Sequence, residues 1–151
     1  ELNFRQPRKK GEIMKAKLTL LALLGTTVLL AKDMVVPASE LPNNAKEFIS
    51  KNFKTAQIGL VKKDIDSYDV ILNDGTEIDF MINGEWKEVD GKYKALPHTI
   101  LPNVMKKVSA TQPNAQILEV DKEINGYKFK FNNNMEVYTD MQGNILGQKL
   151  D

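Results

Sequence analysis

The chain of 151 residues has no cysteine, a single histidine and no arginine after Arg8. Without cysteine it forms no disulfide, no thiolate zinc site and no catalytic thiol. A nucleic-acid-binding protein is expected to carry a basic stripe that is usually rich in arginine, so the missing arginines argue against that class. The length fits one ordinary domain or two very small ones, which excludes a multidomain enzyme.

Sequence motifs for catalysis, cofactors and metals are also absent. No glycine-rich phosphate loop, nucleophile elbow or dinucleotide fingerprint occurs. His98 has no second histidine at ligand spacing, so we interpret it as a surface residue of a linker. Asp64, Asp66 and Asp69 lack the glycine and the distal glutamate of a calcium-binding loop. The sequence therefore predicts no enzymatic activity, no cofactor and no metal site.

The residues that are present are typical of a folded globular protein, with 42% hydrophobic and 27% charged side chains. The charges are unevenly distributed. Residues 1–31 hold six of the 21 basic residues and two of the 20 acidic residues. Residues 32–151 therefore hold 15 basic and 18 acidic residues, a net charge of −3. We expect the folded part of the chain to be mildly acidic, unlike its N-terminus.

Residues 14–31 have the features of a secretory signal peptide. Met14–Lys17 is a short basic start, and Leu18–Leu30 is an uncharged run that ends at the small residue Ala31. As a helix this run is about 20 Å long, which is too short for a hydrocarbon core of about 30 Å. The alternative, a buried helix of the mature fold, fits the basic flank less well. We predict export to the periplasm or secretion, with no membrane span after signal cleavage, and interpret residues 1–13 as a translated leader.

The rest of the chain matches itself at an offset of 59 residues. The matched positions include aromatic, acidic, glycine and apolar residues: Tyr68 with Tyr127, Glu77 with Glu136, Gly84 with Gly143, and Ala-Gln-Ile at 56–58 and at 115–117. Leu41-Pro42 matches Leu101-Pro102 at an offset of 60. Two copies are too few for a solenoid, so the pattern predicts a tandem repeat, residues 37–94 and 95–151, within one compact unit.

Each copy is predicted to form one helix and about four antiparallel strands. The Leu-Pro pairs are typical of helix starts, where the missing N–H of proline costs nothing. Apolar residues then recur at helical spacing in both copies: Ala45, Phe48, Ile49 and Phe53 in the first, and Val104, Met105 and Val108 in the second. Each helix needs a sheet to cover its apolar face. The predicted fold class is α+β, with the helices packed on one face of the sheet.

Turn residues predict the register of the strands. A three-residue loop at Asn73–Gly75, with the glycine left-handed, pairs Val70 with Ile78 on one face. The matching loop of the second copy places Asn134 in the same left-handed conformation, which asparagine tolerates. These two loops predict the same hairpin in both copies.

A second turn signal conflicts with the apolar pattern. Asn125-Gly126 is typical of a two-residue hairpin that sets Ile124 against Tyr127. That register brings Lys122 beside Phe129 on the face expected to be buried, which only a bulge or an edge position would resolve. The register of the strand after Gly84 is ambiguous, so the following tryptophan is compatible with either face.

The outer face of the sheet, opposite the helices, carries charged and aromatic residues. In the expected register Glu123 lies opposite Lys128, and Lys130 lies between Asp121 and Glu136. One interpretation is a solvated salt ladder; the other is a surface that docks a partner. The predicted partner-binding residues are Ile71, Asp79, Met81, Lys128, Lys130 and Tyr138. Glu77 and Asp79 share this face as well, but without an apolar pocket to raise one pKa they make a weak acid–base pair.

The repeated Leu-Pro pair, the short helix, the segment from Tyr68 to Phe80 and the motif Asn83-Gly84-Glu85-Trp86 together resemble the PepSY-like family. That family consists of exported bacterial proteins described as similar to beta-lactamase-inhibitor protein. The resemblance covers residues 37–151, and the second copy departs from it at Asn134 and Ile145. It implies a periplasmic or secreted, non-catalytic domain, with inhibition of a protease or lactamase proposed by analogy.

Two functional hypotheses follow. The first is an exported binding module that inhibits or regulates an envelope enzyme and uses the outer face or the hairpin tips to bind a protein in the cell envelope. The second is an envelope stress protein that binds a small molecule or an ion between the copies. An enclosed apolar cavity would favour the second hypothesis, and a flat sheet the first.

Overall fold

The structure, a computed structural model, describes residues 33–151. The predicted leader at 1–13 and signal peptide at 14–31 lie outside these residues. The described part contains nine strands and two α-helices: β1 Met34–Val36, α1 Asn43–Asn52, β2 Ile58–Lys63, β3 Ser67–Leu72, β4 Glu77–Met81, β5 Trp86–Asp90, α2 Pro102–Thr111, β6 Ile117–Glu123, β7 Gly126–Phe131, β8 Met135–Asp140 and β9 Ile145–Leu150. Short 3-10 helices at Ala38–Glu40 and His98–Ile100 precede the two helices. The fold is α+β, as predicted.

All nine strands form one antiparallel sheet in which every strand pairs with its neighbours in the chain. Tight hairpins join most of the strands, whereas α1 separates β1 from β2 and α2 separates β5 from β6. We call the β5–β6 pairing the seam, because it joins the two predicted halves of the sheet. Only three residue pairs form it, from Glu88–Asp121 to Asp90–Glu119.

The helices and one face of the sheet share a single hydrophobic core. The helix α1 starts directly after Pro42, and α2 has Pro102 in its first turn, in line with the sequence-based expectation. Both helices bury the residues that recur at helical spacing: Ala45 and Ile49, and Val104, Met105 and Val108. The strands contribute their alternate residues to the same cluster. The ring of Phe48 lies 5.8 Å from that of Phe80 in β4, so α1 packs directly on the sheet.

The predicted hairpin loops between β3 and β4 and between β7 and β8 are confirmed. Val70 lies opposite Ile78, as the three-residue loop requires. Gly75 has φ of 94° and Asn134 has φ of 67°, so both occupy the left-handed region. Glycine reaches that region without a steric penalty and asparagine with a small one.

The predicted turn at Asn125-Gly126 is wrong by one residue. Glu123 pairs with Gly126, so the turn consists of Ile124 and Asn125. The physical reason is the close approach of β7 to β8: a Cβ atom on Gly126 would lie 1.8 Å from the carbonyl oxygen of Thr139. The glycine is therefore needed inside the strand and not in the turn.

The shift also corrects the charge ladder expected on the outer face. Lys128 lies opposite Asp121 instead of Glu123, and Lys130 lies opposite Glu119. The helix-facing side keeps Lys122, which now pairs with Tyr127 at the end of β6.

Aromatic rings accommodate Lys122, which the sequence placed on the buried face, and Lys63 at the matching position of the first half. The Nζ atom of Lys122 lies 4.5 Å from the ring centroid of Trp86, and that of Lys63 lies 5.7 Å from the centroid of Tyr68. Trp86 faces the helices, because its ring stacks on Phe48 at 5.9 Å and on Tyr127 at 6.3 Å. A cation over an aromatic face remains favourable while the lysine stem is buried.

Candidate functional site

The predicted partner-binding residues lie on the outer face, in two groups. One group is on β3 and β4 and the other is on β7 and β8, at positions that alternate with buried core residues. The first group consists of Ile71, Asp79 and Met81, and the second of Lys128, Lys130 and Tyr138. The structure brings them onto one face but not together, because β5 and β6 lie between the groups.

Carboxylates cover the outer face from the strands of the first group to the edge of the second. We call these residues the acidic patch; it spans β3 to β6 and consists of Asp69, Glu77, Asp79, Glu88, Asp90, Glu119 and Asp121. The register sets like charges opposite each other, with Asp69 against Asp79, and Asp79 against Glu88. Across the seam Glu88 faces Asp121. Directly opposed like charges are unfavourable. Lys92 offsets Glu77 and Asp90, and Lys128 offsets Asp121, whereas the other patch carboxylates form no ion pair within residues 33–151: Asp69, Asp79, Glu88 and Glu119.

Two carboxyls of the acidic patch have strongly altered acidity. Burial raises the pKa of Asp79 to about 7, assisted by its hydrogen bond with Asp69. Burial likewise raises the pKa of Glu88 to about 8, assisted by its hydrogen bond with Glu119 and by the nearby charge of Asp121. Nothing in the sequence indicates a raised pKa here. The carboxyls that help to raise these two pKa values lie on neighbouring strands. The residue spacing along a single strand therefore does not reveal them.

The second group of predicted residues is neutralised by ion pairs. Lys128 Nζ lies 3.0 Å from Asp121 Oδ2, and Lys130 Nζ lies 2.9 Å from Asp151 Oδ2. The hydroxyl of Tyr138 donates to Glu136 Oε1 at 2.8 Å. Hydrogen bonding to the carboxylate raises the pKa of Lys128, and that to Glu136 raises the pKa of Tyr138. This part of the outer face is thus a satisfied salt ladder.

One carboxylate oxygen of the acidic patch has no hydrogen-bond partner among the described residues. Asp121 Oδ1 is buried and has no hydrogen-bond partner among residues 33–151, although the other oxygen of this carboxylate binds Lys128. The desolvation of such an oxygen is normally compensated by a donor. The desolvation of the acidic patch is therefore incompletely compensated next to the seam.

Three carboxylates approach each other closely enough to surround an ion. The oxygens of Glu88, Asp90 and Glu119 lie within 4.8 Å of one another, the only such group within the described residues. Acidic side chains at a protein surface often approach each other in this way without an ion. We therefore assign no metal to this group.

The grooves near the hairpin tips are open and not enclosed. One of about 610 Å³ lies between the tips of the β4–β5 and β6–β7 hairpins, lined in part by Ile82, Lys122 and Ile124. Ile124 is 96% exposed, so this groove lacks the buried apolar walls of a typical ligand cavity. An open sheet surface was expected for a protein-binding module and an enclosed cavity for a ligand-binding protein. The open surface therefore favours the protein-binding hypothesis.

Sequence reasoning missed Glu88 and Glu119 as members of the site. A register shift between Asp79 and Phe80 sets Phe80 opposite Trp86 and keeps Glu88 on the outer face. Such a bulge changes which residues face outward, and the sequence carries no clear sign of it. With that shift known, the alternation of Glu88 with Val89 would indicate that Glu88 faces outward.

Comparisons with known proteins agree with the fold. A family profile described as "Putative beta-lactamase-inhibitor-like, PepSY-like" matches residues 27–68 and 66–147. Two solved structures, each described as a putative periplasmic protein from Bacteroides vulgatus, are 32% identical to the chain, with a TM-score of 0.71. Each match covers 78% of this chain, and 97% and 99% of theirs.

A third structure, described as a putative calcium-regulated periplasmic protein from Bacteroides thetaiotaomicron, is 29% identical. Its TM-score is 0.72, and the match covers 78% of this chain and 96% of that one. Among curated proteins, none matches the sequence. The helices in residues 33–151 are too short or too polar to cross a membrane. The descriptions of these three relatives as putative periplasmic proteins agree with the localisation predicted for this chain. With the family profile matching most of its length, the chain belongs to the PepSY-like, beta-lactamase-inhibitor-like family.

Proposed function

We propose that this protein is a non-catalytic binding module of the periplasm, and that its outer face docks a lysine- or arginine-rich surface of an envelope protein. The observation that carries the proposal is the acidic patch. Within residues 33–151, Asp69, Asp79, Glu88 and Glu119 take part in no ion pair. Basic side chains from a partner would supply the missing countercharges.

The position of the patch supports this proposal. It lies at the centre of the sheet, on the face opposite the two helices, and is bordered by the salt ladder of β7 and β8. A charged centre of this kind mainly determines which partner is accepted and how fast it arrives.

The tandem organisation belongs to the same proposal. We take residues 37–94 and 95–151 as two copies of one helix followed by four strands, with each helix covering its own part of the sheet. The order of the elements and the left-handed Gly75 and Asn134 at matching loops support this interpretation. The two copies together provide one continuous surface. Inhibition or regulation of an envelope enzyme is the role suggested by the beta-lactamase-inhibitor-like family.

The decisive experiment compares capture of partners from envelope extract by matched variants. The double variant Asp79→Lys, Glu88→Lys reverses two charges in the patch, while Glu40→Lys, Glu47→Lys makes the same change at exposed positions near and on α1. We expect the first to lose the partner identified by mass spectrometry and the second to retain it. Retention of the partner by both variants would refute the proposed surface.

The predicted residues of β7 and β8 require their own test. Lys130→Glu and Tyr138→Ala should weaken capture of the same partner, with folding checked by circular dichroism. If both variants capture as much as the wild type does, the contact is confined to the acidic patch and the salt ladder is only structural.

The second hypothesis, an ion- or small-molecule-binding stress protein, is favoured by one observation. A 29% identical relative is described as a calcium-regulated periplasmic protein. If this chain binds calcium, millimolar calcium should raise its melting temperature by several degrees, and magnesium should do so less. No shift with calcium or with a panel of small ligands would count against this hypothesis.

A further inference from the structure

We propose that one end of the sheet contacts a membrane, and that four hairpin turns at this end insert aliphatic side chains into the surface of a lipid bilayer. We call this end the tip edge. It consists of the turns at 64–66, 82–85, 124–125 and 141–144, which join β2 to β3, β4 to β5, β6 to β7 and β8 to β9. The contact lies outside the outer face used in the proposed function, and it needs no membrane-spanning segment.

The four turns lie at the same end of the sheet, because neighbouring strands are antiparallel and follow the order of the chain. Each turn presents one large aliphatic side chain to solvent. The exposed fractions are 78% for Ile65, 44% for Ile82, 96% for Ile124 and 49% for Met141. Adjacent turns are two strands apart, so these side chains form a row about 29 Å long with a spacing of about 10 Å.

The two ends of the sheet differ in their exposed apolar residues. At the opposite end the hairpin turns Asn73–Gly75 and Asn132–Asn134 are polar, and the exposed large apolar side chains are those of Tyr93 and Leu150. Scattered exposed apolar residues are normal, whereas their concentration in one place marks a contact surface. Most of those exposed within residues 33–151 lie at or next to the tip edge: Met34, Ile65, Met81, Ile82, Ile124, Met141, Ile145 and Leu146.

The point where the chain enters the sheet identifies a bilayer as the occupant. Met34 of β1 pairs with Lys63, the last residue of β2, so the chain enters beside the first turn of the tip edge. The uncharged run Leu18–Leu30 of the predicted signal peptide ends three residues before β1. A connection of this length spans at most about 14 Å. While the run is held in the membrane during export, the tip edge is therefore the end of the sheet that lies nearest to the bilayer.

The chemistry of the tip edge also fits a bilayer better than a protein. Polar residues such as Asn83 and Asn125 separate its aliphatic side chains, whereas a protein interface normally has a contiguous apolar centre. Binding to a bilayer instead grows with the total apolar area that is inserted. The charges beside the turns nearly cancel, so apolar burial and not anionic lipid should drive the binding. These charged residues are Lys62, Lys63, Lys87 and Lys122, and Asp64, Asp66, Glu85, Glu123 and Asp140.

The direct test measures how the protein isolated from the periplasm partitions onto vesicles of phosphatidylcholine, and onto vesicles of phosphatidylethanolamine with phosphatidylglycerol. Ile65→Ser, Ile124→Ser removes two side chains from the tip edge. The matched control Tyr93→Ser, Leu150→Ser removes two exposed apolar side chains from the opposite end. We expect the first variant to lower the partition coefficient about tenfold and the control to stay within about twofold of the wild type.

The wild type should bind both kinds of vesicle, and high salt should change the binding little. Three results would each overturn the proposal: no binding of the wild type at about 5 mM lipid, equal binding by the two variants, or binding that only the anionic vesicles support. Circular dichroism checks that both variants are folded, which their exposed positions favour.

The absence of cysteine allows a second readout, which reports where the protein touches the bilayer. Ile124→Cys and Tyr93→Cys, each labelled with a polarity-sensitive nitrobenzoxadiazole dye, place one probe at each end of the sheet. Both native side chains are almost fully exposed, so neither label disturbs the core. Vesicles should shift the emission of the Ile124→Cys probe to shorter wavelength and leave that of the Tyr93→Cys probe unchanged. Equal shifts of the two probes would refute insertion through the tip edge.

Further measurements separate this proposal from another occupant and from the proposed function. If the wild type dimerises without vesicles and Ile65→Ser, Ile124→Ser does not, the tip edge binds a second copy and the bilayer contact is refuted. Asp79→Lys, Glu88→Lys should bind phosphatidylcholine vesicles as the wild type does. Vesicle binding without capture of an envelope protein would refute only the proposed function, and capture without vesicle binding would refute only the membrane contact.

Discussion

The two halves of the outer face share a backbone register but carry opposite charge patterns. Within the first half Lys62 lies opposite Asp69, and at the matching positions of the second half Asp121 lies opposite Lys128. In the second half Lys128 and Asp121 form an ion pair of 3.0 Å. In the first half Asp69 instead hydrogen-bonds to another acid, Asp79. The two halves thus have the same strand pairing although the charges on their outer faces differ, because hairpin register depends on turns and core residues.

The largest expected difference between the halves lies in the core. Phe80 is fully buried and meets Phe48 edge-on, while the matching position of the second half is Thr139, 3% exposed. Phe80→Ala should lower the free energy of unfolding by about 3–5 kcal/mol, and Thr139→Ala by about 1 kcal/mol. Urea denaturation measures both. Equal losses would mean that the two halves use this position in the same way.

A second contrast concerns the start of β3 and β7. Gly126→Ala places a Cβ within 1.8 Å of the Thr139 carbonyl oxygen, so strand β7 has to move. We expect a loss of about 1–3 kcal/mol. Ser67 occupies the matching position and already has a side chain, so Ser67→Ala should change stability by less than about 0.5 kcal/mol. Thermal melts of the two variants test this, and a stable Gly126→Ala protein would show that β7 and β8 can separate locally.

A third contrast compares two acids at matching positions. The side chain of Glu136 is 7% exposed and meets Lys130, Lys149 and Tyr138, whereas that of Glu77 is 46% exposed and meets Lys92. Glu136→Ala should cost about 1–2 kcal/mol because it removes a buried carboxylate together with its hydrogen bond from Tyr138 and its ion pairs with two lysines. Glu77→Ala should cost no more than about 0.5 kcal/mol. Chemical denaturation that ranks Glu77 above Glu136 would contradict the burial argument.

The smallest expected effect comes from giving one half the residue of the other. The double swap Lys62→Asp, Asp69→Lys introduces the second-half pair, keeps opposite charges across β2 and β3 and sets a lysine beside Asp79. It should raise the free energy of unfolding by about 0.5 kcal/mol at pH 8.5. The gain should shrink at pH 5, where Asp79, with its pKa raised to about 7, is protonated in the folded chain. The reciprocal Lys128→Asp should destabilise at pH 8.5. A gain that is the same at both pH values would show that Asp79 carries no proton at pH 5.

Much of the scaffold could be predicted from sequence because local signals agreed with each other. Alternation along β3 and β4 and the left-handed Gly75 pointed to one register, and the structure has it. The Asn-Gly signal before β7 failed because the close approach to Thr139 reserves Gly126 for the strand. Local propensity predicts a turn but cannot reveal which backbone lies beside a glycine.

The site was harder to predict than the scaffold. Its outer residues on β3, β4, β7 and β8 followed from alternation, but the acidic patch forms where Glu88 meets Glu119, residues that the intervening α2 separates in the chain. A bulge hides the orientation of β5, and burial raises pKa values only after the strands have assembled. These properties depend on the folded arrangement, so a single sequence does not show them.

The uninterrupted order of the strands has a consequence for how the chain folds during export. Every strand pairs with the one that precedes it in the chain. The pairing partner of each strand has therefore already reached the periplasm when that strand arrives. Contacts of this kind span short stretches of chain, which favours rapid folding. The order of folding can therefore follow the order in which the chain reaches the periplasm, and Phe48 of α1 can pack on Phe80 before the strands beyond the seam arrive.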